Sequence, residues 1–146
     1  MRMTADSWAA IEADVQNQVK EAVSRCKTKA QVAAVRSANQ LRNSALNILR
    51  GQGGGRVYKK PHSGSSYTAS APGATPAVRT GALRMSWAMN VSGGGGSFKV
   101  SIVSGVQYAN YLEEGTSKMA ARPYKQKIID DAKPKIEEIC ESTIKP

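Results

Sequence analysis

Acidic residues are missing from most of this chain. After Asp6, Glu12, Asp14 and Glu21 none occurs until Glu113. Residues 22–112 instead carry twelve bases: Arg25, Lys27, Lys29, Arg36, Arg42, Arg50, Arg56, Lys59, Lys60, Arg79, Arg84 and Lys99. The formal charge of +10 therefore gathers in a one-signed middle. A solvated surface ordinarily mixes signs, so this distribution predicts a positive field turned toward a nucleic-acid backbone or an acidic protein surface.

Other shortages narrow the function. The one histidine, His62, lies in a Gly/Ser-rich stretch some forty residues from the nearest preceding acid, Glu21. A catalytic triad needs a base held by a second group, so His62 reads as a solvated loop residue. Glu113-Glu114 and Asp130-Asp131 are adjacent pairs whose side chains point different ways, which suits ion pairs or helix-dipole charges better than a catalytic dyad. The glycine runs GQGGG and SGGGGS match no phosphate-cradle pattern. Cys26 and Cys140 have no metal-ligand spacing around them and are expected to be reduced thiols packed on helix faces of a cytosolic product. No enzyme activity, cofactor or metal is expected. No run approaches the roughly 18 apolar residues of a membrane span, and MRMTADSWAAIEADV lacks the apolar segment of a secretory signal. With one phenylalanine among 146 residues, the core must rest on aliphatic side chains and is expected to be thin.

Glycine and proline are absent from residues 7–50. There Trp8, Ile11, Val15, Val19, Ala22, Val23 and Cys26 recur at three- and four-residue steps, an amphipathic stripe with Asp6 and Ser7 as candidate N-caps. A second stripe runs through Val32, Val35, Ala38, Leu41, Ala45, Ile48 and Leu49 and stops at Gly51. Two helices breaking near Lys27–Lys29 fit ordinary helix lengths, although nothing forces the break and one long helix stays open. Residues 51–80 then turn to Gly, Ser, Ala and Pro without a period, the composition of a mobile basic arm. Alternation in Met85–Val91 and Phe98–Val103 around SGGGGS predicts a hairpin. Tyr108 and Tyr111 suit a short helix or a bent strand. Arg122-Pro123 opens a final helix, which Pro134 should kink or restart. The whole predicts a single α+β domain over 1–146: N-terminal helices, the arm, a small antiparallel sheet with a hairpin, and a C-terminal helix packed on the sheet.

Two stretches resemble a known family. ASAPGATPAVRTGALRMSW (Ala69–Trp87) resembles the signature Ala-Ser-x-Pro-Gly-x-x-Pro-x-x-x-Thr-Gly-x-Leu. VQYANYLEEGTSKMAARPY (Val106–Tyr124) resembles Tyr-Ala-x-x-x-Glu-x-Gly-Thr-x-x-Met-x-Ala-Arg-Pro-Phe, with Tyr108, Ala109, Glu113, Gly115, Thr116, Met119, Ala121, Arg122 and Pro123 in register and Tyr124 at the Phe position. Glu114 departs from a common aromatic and Lys127 from a frequent second proline. Both signatures are those of the tailed-phage neck and tail-component family, typified by the lambdoid gene-product-ten proteins.

The resemblance implies a structural protein of the virion, made in the host cytoplasm, with a tail-terminator-like fold. It implies a cyclic ring of this chain, six- or twelve-fold, between head-closure or connector proteins and the tail, with genomic DNA passing through without sequence-specific contact and no membrane involved. Residues Tyr108, Tyr111, Glu113, Glu114, Gly115, Thr116, Met119, Arg122, Pro123 and Tyr124 then form a motif expected at a subunit interface. Gly115 is expected at positive φ or at a close backbone approach. Tyr108, Tyr111 and Met119 are expected as apolar anchors, in the core more than at a subunit contact. Arg122 is expected to donate to Glu113 or Glu114, of its own chain or the next. Arg56, Lys59 and Lys60 on the arm, with Arg79 and Arg84, are expected to meet channel DNA or an acidic neighbouring ring; the protein partner is favoured because a conduit should not grip its DNA. A tail terminator capping the tube is the alternative within the family. A free-standing basic nucleic-acid-binding protein is the alternative outside it, although no recognition-helix or zinc signature supports it.

Overall fold

One helix, α1, runs uninterrupted from Ala5 to Ile48, 44 residues. The computed structural model describes residues 5–51 and 54–145, with the backbone alone for residues 5–7. The expected break near Lys27–Lys29 is absent. No residue there breaks a helix, and the Thr28 hydroxyl bonds back to the Ser24 carbonyl at 3.1 Å, within the same helix. Asp6 and Ser7 lie inside the helix and so do not cap it, and their side chains fall outside the described residues.

The C-terminal half of α1 carries the body. Its buried face is made of small residues, Ala33, Ala34, Ser37, Ala38, Ser44 and Ala45, ending at Leu49. Against this face lies α4 (Lys125–Ile144), packed antiparallel along α1 through Ile128, Ala132 and the half-buried Ile136, Ile139 and Cys140. Small side chains let the two helix axes approach closely, and the Ser37 hydroxyl reaches the Cys140 sulfur at 3.9 Å. The predicted stripe holds from Ala38 onward. Val32 and Val35 are exposed, because close packing selects the alanines and serine beside them. Cys26 is exposed too, contrary to its expected packing, and both cysteines are free thiols.

The same part of α1 also lies on the hairpin of β3 (Trp87–Gly94) and β4 (Ser97–Ser104). Its register pairs Met89 with Ile102, Val91 with Val100 and Gly93 with Phe98, so the predicted alternating face survives from Trp87 onward. Met85 leaves that face. It ends a short helix, α2 (Ala82–Met85), and is exposed. The α+β class holds, with α1 as the middle layer between the hairpin and α4. The final helix meets the hairpin mainly at its first turn, where Tyr124 packs edge-on against Trp87 at 6.2 Å between ring centroids.

Within the arm, β1 (Val57–Lys59) and β2 (Ser66–Thr68) form a second, smaller antiparallel hairpin. His62 sits exposed in its turn with φ 60. A last short helix, α3 (Ala109–Glu114), precedes α4.

Proline does not open α4, which begins two residues after Pro123, with Tyr124 as N-cap. Nor does Pro134 restart it. The helix is continuous through that position, although proline has no N–H to offer the Asp130 carbonyl. Pro134 is exposed, so Pro134→Ala restores this bond without disturbing the core and should raise stability by about 1–3 kcal/mol. A higher urea midpoint at unchanged slope checks this.

Tyr124, at 0 % exposure, anchors the core, and its hydroxyl donates to the Ala109 carbonyl at 2.9 Å. Burial, and then the Glu113 carboxylate, pushes its phenol up from 10.0 to about 12. Because the folded value is the higher, its contribution is whole below about pH 10 and is lost as pH rises through about 12. Tyr124→Phe should cost about 1 kcal/mol at neutral pH. It should also lose less stability than the parent between about pH 10 and 12, by up to about 3 kcal/mol. Denaturant titrations at pH 7, 10 and 11 measure both, and parallel alkaline declines would contradict the assignment.

Candidate functional site, a cleft joining the two signature stretches

The Gly-Thr-x-x-Met stretch builds a tight turn. Gly115 ends α3 through its N–H to the Tyr111 carbonyl at 2.9 Å, with φ 80 as expected. A Cβ there would lie 2.7 Å from the Ala121 nitrogen and 2.8 Å from the Met119 carbonyl, so no other residue fits unstrained. Thr116 and Met119 close the turn by exchanging backbone bonds of 2.8 and 3.1 Å. The Arg122 N–H then returns to the Leu112 carbonyl at 2.8 Å.

Within the chain Arg122 pairs with neither Glu113 nor Glu114, which corrects the intrachain form of that expectation. One Glu113 oxygen accepts the N–H groups of Tyr124 and Lys125 at 3.0 and 3.2 Å, so its charge sits where the α4 dipole is positive. Arg122 reaches 52 positions back and donates through Nη2 to the Ser70 carbonyl at 3.2 Å. One further bond joins the same stretches, Gly73 N–H to the Ala121 carbonyl at 3.1 Å, and Lys127 Nζ of α4 adds a bond to the Gly73 carbonyl at 3.2 Å. The two signatures are therefore stapled together, largely through backbone carbonyls.

Where they meet lies a cleft of about 580 Å3. Ala69, Ser70 and the run from Pro76 to Arg84 come from the first stretch; Tyr108, Leu112, Met119 and Arg122 come from the second. Leu49, Tyr67 and Thr68 complete it, and no carboxylate lines it among the described residues. Tyr108 and Tyr111 are exposed, Tyr111 at 61 %, so the core placement expected for them is corrected. Met119 is half-buried in the cleft wall, and Glu114, Thr116 and Pro123 lie at the surface.

The basic residues divide. Arg84 is largely structural: its Nε donates at 2.9 Å to the Leu46 carbonyl in the last turn of α1, where helix carbonyls lack partners. Arg56, Lys59, Lys60 and Arg79 are exposed. Tyr58 and Tyr67 face each other across β1 and β2 with stacked rings 5.7 Å apart, and Arg56 and Arg79 lie over them at 5.8 and 4.8 Å. Lys59 alternates to the other face, and Lys60 enters the turn. The two tyrosines went unpredicted, although the alternation of VYK and SYT about a KPHSGS turn carries the signal. Asp131 forms the ion pair its sequence suggested, with Lys135 one turn on at 3.0 Å, and the Ser44 hydroxyl of α1 and then Lys135 hold its carboxyl below the usual range. No group of residues that could hold a metal occurs among the described residues.

Removing Glu113 should expose the start of α4. Glu113→Ala is expected to lower stability by about 1–2 kcal/mol, with Glu113→Gln recovering part because its amide oxygen still accepts. Urea unfolding of the three proteins measures it, and equal stability would refute the capping role.

Among known proteins, a family model described as "Bacteriophage HK97-gp10, putative tail-component" matches residues 3–115. That span includes α1, the arm, the first signature stretch, the hairpin and α3. No curated protein and no solved structure matches the chain. No helix among the described residues is long and apolar enough to cross a membrane. The match covers well over half of the sequence, and the chain belongs to the HK97-gp10-like family of bacteriophage tail components.

Proposed function

We propose that this chain is a non-enzymatic structural protein of the phage neck. It forms a ring between the head-closure proteins and the tail, through which the genome passes. One observation carries the reading: Trp8, Ile11, Val15, Val19 and Val23 form an apolar stripe along the N-terminal half of α1, and all are exposed in the single chain. Stripes of that length mark contacts with other proteins. The exposed bases of the β1–β2 hairpin suit an acidic neighbour at the ring face. They also suit passing DNA, provided the contacts are few and screened by salt.

The mass of the purified protein at physiological salt, alone and with a short duplex, tests this. A discrete oligomer that leaves the duplex free is expected. A small species that binds the duplex tightly, and loses it steeply as salt rises, would replace the neck reading with that of a free nucleic-acid-binding protein.

A further inference from the structure

The apolar stripe of α1 is one continuous feature with the face that the body buries. Trp8, Ile11, Val15, Val19 and Cys26 fall on the same side of the helix as Ala33, Ser37, Ser44 and Ile48, to within the drift of a 3.6-residue period. On the body this side is covered by α4, where the Ser37 hydroxyl meets the Cys140 sulfur. The cover stops where α4 ends, since Lys29 of α1 meets the Lys145 carbonyl at 3.4 Å. Residues 5–28 continue past that point for about 36 Å at 1.5 Å per residue, and Trp8 near the tip is 59 % exposed.

The arginine-lined cleft at the other end of the molecule is complementary. Leu83, Leu112 and Met119 make its floor and walls apolar, while Arg79 and Arg122 line it with no carboxylate beside them. The tip of the projecting helix has the opposite character, with Glu12 and Asp14 among its apolar residues. No base occurs between Trp8 and Val19, so the tip of the projection matches the basic cleft in charge. It cannot fill its own cleft. Leu49, in the cleft wall, lies about 60 Å along the helix line from Trp8, and α1 has no hinge between them.

We propose that Trp8 and the apolar stripe behind it seat in the arginine-lined cleft of a second copy of this chain. The indole enters among Leu83, Leu112 and Met119, and Glu12 approaches Arg79. Each copy offers one projection and one cleft, so the contact is head-to-tail and generates a ring where the rotation closes. This deepens the ring reading above and rests on it.

Photocrosslinking tests the contact in the full chain. Trp8→p-benzoylphenylalanine is irradiated at high protein concentration, the adducts are mapped by mass spectrometry, and oligomer mass is measured in parallel. Adducts to cleft residues of another copy are expected. In this background Glu12→Arg and Arg79→Glu should each lower the yield about tenfold, and the pair should recover it. That recovery separates a lost contact from a misfolded variant. An oligomer whose adducts map elsewhere, to α1 of a second copy for example, would overturn the docking and leave the ring standing. A protein that stays monomeric without adducts would overturn both.

Discussion

Close approach of two helices through small side chains is the constraint on which the body depends. Ala33, Ala34, Ser37, Ala38, Ser44 and Ala45 leave little side-chain volume on the inner face of α1, which leaves room for α4 to lie close along it. The bulk comes from the partners, aliphatic in Ile128 on α4 and Leu83 but aromatic in Trp87 and Tyr124 around the end of the helix, so the core does not rest on aliphatic side chains alone as expected. A larger residue at Ala38 or Ala45 would push α4 away, and the hairpin on the other side would lose its platform. The aromatic pair Trp87 and Tyr124 closes this small core where all three layers meet.

The signature residues act one level above that core. Gly115, Thr116, Glu113 and Arg122 fix backbone: a turn, a helix start and a strap back to Ser70. What they leave facing solvent is a cleft with apolar walls and positive rims. A motif that spends its side chains on carbonyls and N–H groups explains how two segments far apart in sequence form one surface.

Much of this was legible in the sequence, for particular reasons. The absence of glycine and proline over residues 7–50 announced helix, and the alternation about SGGGGS announced the β3–β4 hairpin with its register. Positive φ at Gly115 followed from its place in the signature. Other features were not legible because their causes lie outside local pattern. Helix-length statistics favoured a break that no residue at 27–29 imposes. The destination of Arg122 is a carbonyl, and carbonyls carry no sequence label. Tyr108 and Tyr111 have the composition of core residues, yet side-chain type does not by itself separate a buried position from an exposed one, and both are exposed. For the same reason Trp8 to Val23 read as an ordinary core-facing stripe, although no described residue covers it.

The uninterrupted geometry of α1 also has a mechanical side. A helix rooted in the body over its C-terminal half and unsupported over the rest is a cantilever. Tilting its root by about 5° would carry Trp8 sideways by roughly 3 Å over a span of about 36 Å, the width of a single atom-to-atom contact. Small rearrangements between α1, α4 and the hairpin are thus magnified at the tip. The position of one tryptophan becomes a gauge of how the whole body is set.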